Sequence, residues 1–110
     1  MNDVESDLLA EPRRAVTMDE LREHRDEILA IGERYGVSKI RVFGSVARGE
    51  ADDQSDLDLL VDAAPNTGLF GLAGFAVDVQ DRLGVFTQVV TVPGLKQRIR
   101  ERILTEAKLL

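Results

Sequence analysis

At 110 residues the chain has the length of one ordinary domain and no room for a second compact core. A 44% hydrophobic fraction belongs to a folded body rather than a disordered or fibrous one, and the absence of cysteine excludes disulfide frameworks, thiolate zinc sites and cysteine nucleophiles. Fourteen Lys and Arg against 20 Asp and Glu give a net charge of −6, a surface that repels a phosphate backbone and argues against nucleic acid as a direct partner.

Residues 1–16 carry Asp3, Glu5, Asp7, Glu11 and Pro12 without a clear period and are expected to form a flexible tail before a domain over 17–110. The opening is acidic before it is apolar, unlike a signal peptide. No apolar run approaches the length of a membrane span, so a cytoplasmic location without a membrane partner is expected. Thr17-Met18-Asp19-Glu20 matches a capping box. Behind it Met18, Leu21, Ile28, Ile31 and Tyr35 recur at helical spacing, which predicts one helix over 19–35 ending in a left-handed turn at Gly36.

Val37 to Phe43 alternates with β-branched and aromatic residues and stops at Gly44, as a strand stops at a turn. Ser45 to Arg48 then starts a short helix, and Leu57 to Val61 is a second strand closed by the breaker at 63–68. Leu69, Leu72, Ala76, Val79 and Leu83 form a helical stripe, Phe86 to Val92 a third strand, and Leu95, Ile99, Ile103 and Ala107 the apolar face of a last, basic helix. This order predicts one mixed sheet with helices packed on it, an α/β or α+β domain.

Two short segments carry chemistry. In Phe43-Gly44-Ser45-Val46-Ala47-Arg48-Gly49-Glu50, Gly44 permits a sharp turn and close approach of a ligand, and Ser45 opens a helix whose free amides and hydroxyl can bind phosphate. In Ser55-Asp56-Leu57-Asp58-Leu59, strand alternation sends Asp56 and Asp58 to one face and the leucines to the other. Two such carboxylates are hard oxygen ligands for Mg²⁺, which also takes phosphate oxygens and water. The bland alternative is a strand end with solvated carboxylates near a turn.

Gly44-Ser45, ten intervening residues and Asp56-x-Asp58, with the Ala47-Arg48-Gly49-Glu50 that follows the Gly-Ser pair, resemble the nucleotidyltransferase superfamily of the DNA polymerase β type, most closely its minimal nucleotidyltransferase (MNT) branch. The resemblance implies the nucleotidyltransferase fold, a triphosphate held by Gly44 and Ser45, and metal held by Asp56 and Asp58. Its third carboxylate falls on a strand after the third helix, where this chain has Thr87-Gln88-Val89-Val90. Gln88 thus stands where an Asp is expected, and an amide cannot act as a base.

The same resemblance implies ATP and Mg²⁺ as cofactors. It also implies the role of antitoxin beside a helical HEPN-type toxin, which is modified by transfer of AMP. Gln88 favours an alternative, a degenerate nucleotidyltransferase that neutralises its partner by binding. Arg48 is expected either to reach a phosphate or to pair with Glu50 or Asp58. His24 belongs on the surface, and Asp78 and Asp81 on a solvated face unless their helix aims one at the site.

Overall fold

Thr17 does cap a helix, its Oγ1 accepting the Glu20 N–H at 3.1 Å. The computed structural model describes residues 15–110, so most of the expected tail lies outside the described residues, while Val16 is buried in the core. The single helix expected over 19–35 is two, α1 (Met18–Glu23) and α2 (Arg25–Tyr35). His24 separates them at φ −100° and ψ 14°, outside helical geometry. Its N–H is shared between the Glu20 and Leu21 carbonyls, a three-centre bond typical of helix ends. Gly36 closes α2 at φ +71°, the left-handed conformation expected of it.

Strand β1 (Val37–Phe43) runs into the short helix α3 (Gly44–Arg48), and β2 (Leu57–Ala63) returns beside β1. Helix α4 (Gly68–Leu83) leads to β3 (Thr87–Thr91). After a 3₁₀ turn over Val92–Gly94 come α5 (Gln97–Glu106) and a two-residue strand, β4 (Lys108–Leu109), which the sequence did not announce. The sheet order is β3-β2-β1-β4. Strands β1 and β2 pair antiparallel, β1 and β4 antiparallel, and β2 and β3 parallel, which makes the sheet mixed, as expected.

Strand alternation assigns β2 to two cores. Leu57, Leu59 and Val61 enter the larger one, with Leu21, Ile28, Val42, Phe75 and Val79 from α1, α2, β1 and α4. Leu60 points the other way, against Leu95 and Ile103, with Phe43, Ile99 and Ala107 partly buried around them. The stripe expected on α5 is therefore the one that packs. On α4 the stripe shifts: Phe75 is buried, whereas Leu69 is 84% exposed. No helix among the described residues is long and apolar enough to cross a membrane.

Candidate active site

The two informative segments meet because β1 ends where β2 begins. Phe43 pairs with Asp58 across the antiparallel ladder, so Gly44 lies just beyond the Asp58 side chain. Gly44 has φ +73°, and a Cβ there would collide with Asp58 Oδ2. Both the turn and the close approach require glycine. Ser45 follows within α3, whose Val46 and Ala47 anchor it in the core.

The parallel pairing of β2 with β3 places Gln88 opposite Asp58. Residues in register on neighbouring parallel strands share a face, so Asp58 and Gln88 point to the same side. Asp56, two residues earlier, does too, and Gln88 Nε2 donates to Asp56 Oδ2 at 2.8 Å. Gly44, Asp56, Asp58 and Gln88 thus converge at one end of the sheet, on the face whose other end α5 covers.

Asp58 is half-buried. Burial, then the charge of Asp56, then that of Glu106 push its carboxyl from 3.8 up to about 6, against a smaller opposing effect of Arg48. Negative charge is in excess at this point of the molecule, which suits a divalent cation held by Asp56 and Asp58 oxygens. Among the described residues no set of three or more His, Cys, Asp or Glu is grouped to hold a metal; Asp56 and Asp58 are the two carboxylates here that could hold one, with phosphate oxygens and water as further ligands.

Arg48 pairs with Glu50, one of the partners left open by the sequence, through Nε at 2.6 Å. Its second partner is Glu106, through Nη1 at 2.6 Å. Glu106 also accepts the Gly44 N–H at 2.9 Å. Sequence reasoning missed Glu106, because nothing local to the end of α5 marks a residue whose partners lie 58 and 62 positions away. His24 engages Glu27. Asp78 accepts the Tyr35 hydroxyl at 2.6 Å and faces Arg34, so it is a link between α2 and α4 rather than a stand-in carboxylate. Asp81 is exposed.

The model of the nucleotidyltransferase domain family matches residues 6–110. A protein adenylyltransferase named MntA, from Thermococcus cleftensis, is 36% identical over 86 residues, spanning 78% of this chain and 84% of the relative. Among solved structures, one described as a minimal nucleotidyltransferase superposes with a TM-score of 0.76 at 41% identity, over 86% of this chain and 97% of the other. A toxin–antitoxin structure with AMP-PNP shares the fold at a TM-score of 0.65 and 20% identity, covering 76% of this chain and 69% of that one. The family model spans nearly the whole chain, the relative is 36% identical and the solved structure superposes closely, so the chain belongs to the nucleotidyltransferase family and has its fold.

Proposed function

We propose that this protein transfers AMP from Mg-ATP to a hydroxyl of a partner protein, as the antitoxin of a HEPN/MNT toxin–antitoxin pair in the cytoplasm. The observation that carries the reading is the convergence of Gly44, Asp56, Asp58 and Gln88 at one end of the sheet. The relative named protein adenylyltransferase supports the reaction class, and the toxin–antitoxin structure of like fold supports the setting.

In this reading Gly44 lets the phosphates approach the backbone, and the Ser45 amide and hydroxyl hold them. Asp56 and Asp58 hold Mg²⁺, which when bound offsets the charge of the triphosphate and of the departing pyrophosphate. The acceptor oxygen bonds to the α-phosphorus as the bond from that phosphorus to the pyrophosphate oxygen breaks. The hydroxyl proton goes to solvent or to a base of the acceptor, because the Gln88 amide is no base. Gln88 also favours the second reading, in which the protein neutralises its partner by binding alone.

Calorimetry on the wild type and on Asp56→Asn/Asp58→Asn tests the site. Mg-ATP should bind the wild type, and affinity should fall in the variant and on chelation. Undiminished affinity in the variant would remove the metal assignment.

A further inference from the structure

Glu106, the last residue of α5, is 19% exposed and divides its carboxylate between two partners. Oε2 accepts the Gly44 N–H at 2.9 Å, and Oε1 accepts Arg48 Nη1 at 2.6 Å. Burial alone would raise its pKa, but Arg48 and the Gly44 amide hold it below the usual carboxylate value, so it is ionised at neutral pH.

The guanidinium of Arg48 is held on two sides, Nε by Glu50 and Nη1 by Glu106. A guanidinium carries five N–H donors in a rigid fork, and fixing it at Nε and Nη1 sets the direction of the Nη2 edge. Through the shared Glu106 carboxylate, Arg48 stands next to the Gly44 turn, beyond which lies Asp58. A cation so placed beside the Gly44 turn fits an anionic ligand, and charge-assisted bonds of this kind are the strong ones.

We propose that Glu106 is a positioning residue for the nucleotide: from one carboxylate it fixes the Gly44 turn and aims Arg48 at the triphosphate. The proposal rests on the reading of this site as a nucleotide site. It goes beyond that reading by assigning Arg48 a phosphate contact and by making the end of α5 part of the binding machinery.

The test is a double-mutant cycle on Mg-ATP affinity with Glu106→Gln, Arg48→Gln and the pair, with thermal melts on each. Glu106→Gln keeps an acceptor for the Gly44 N–H while losing the charge that holds Arg48, so it isolates the Arg48 arm. Each single variant should bind Mg-ATP roughly ten- to a hundredfold more weakly, the scale on which misplaced groups act, and the pair no more weakly than Arg48→Gln alone. Wild-type affinity in Glu106→Gln, even with a lowered melting temperature, would reduce Glu106 to a structural clamp and overturn the proposal. So would fully additive losses. A wild type without Mg-ATP affinity would instead overturn the reading of the site, and the role of Glu106 with it.

Discussion

Gln88 on β3 donates through Nε2 to Asp56 Oδ2 at 2.8 Å, across the strand boundary where a third carboxylate would complete the cluster. The amide satisfies one oxygen of Asp56 without adding charge. Replacing Gln88 with Asp removes that donor and places a third negative group beside Asp56 and Asp58. The metal-free variant should melt lower than the wild type, Mg²⁺ should restore the difference, and AMP transfer should accelerate. A positioned base typically contributes about 10²- to 10⁴-fold. A wild type that already transfers rapidly, unchanged by Gln88→Asp or Gln88→Ala, would show that Gln88 is not at the reacting centre.

Gly44→Ala tests the close approach at the turn. At φ +73°, and with Asp58 Oδ2 where the new Cβ would sit, the substitution should cost about 1–3 kcal/mol and displace the Asp58 carboxylate. The variant should remain folded by circular dichroism and lose Mg-ATP affinity. Full affinity would mean that the turn does not need its glycine.

Asp58 links pH to stability. Its carboxyl is raised from 3.8 to about 6 by burial and by the charges of Asp56 and Glu106, so the folded state holds this proton more tightly than the unfolded chain. Its stabilising contribution is therefore complete below about pH 4 and is lost as pH rises through about 6. In chelator, Asp58→Asn should melt higher than the wild type at pH 7.5, and the gap should narrow at pH 5 and close only below about pH 4. Glu106 and Glu27, whose pKa values are lowered, act in the opposite sense at lower pH and cancel in this difference. An equal gap at both pH values would contradict the burial of Asp58 charge. Protons should also compete with Mg²⁺ below about pH 6.

Lys39 is the only non-glycine residue at positive φ among those described, at φ 49°. It sits where the β1–β2 register shifts between Ser38 and Arg41. Its ion pair with Asp62 is long, 3.9 Å, and exposed, so it contributes little. Lys39→Gly relieves the left-handed strain, roughly 1–2 kcal/mol, at a somewhat smaller cost in chain entropy. Urea melts should show a stabilisation of about 0.5 kcal/mol. A loss above about 1 kcal/mol would show that the Lys39 side chain matters to the bulge.

Much of this molecule was legible because its signals are local. Thr17 capping Glu20 and Gly36 ending a helix depend on a few neighbouring residues, and the Gly44 and Asp56–Asp58 segments keep their meaning once strands flank them. The position of Gln88 came from the family resemblance, which set Thr87-Gln88-Val89-Val90 against the strand of the third carboxylate, and the parallel register of β2 and β3 puts it on the Asp58 face. What failed depends on distant partners. Strand β4 has two residues and no period of its own; it exists because β1 offers Arg41 and Val42 to Leu109 and Lys108. Leu69 fits the helical stripe by spacing, yet it lies outside the ground that α4 shares with α2 and the sheet, and Phe75 fills that space. Glu106 becomes visible only when the end of α5 folds back onto the Gly44 turn.

AMP transfer is read by following label from α-labelled ATP onto a co-expressed helical partner, with Mg²⁺ present, for the wild type and for Asp56→Asn/Asp58→Asn. The wild type should label the partner in a metal-dependent way and the double variant should not, with pyrophosphate released in equal amount. A partner that co-purifies with the wild type, is neutralised by it and never acquires label would contradict nucleotidyl transfer and leave a protein that acts by binding alone.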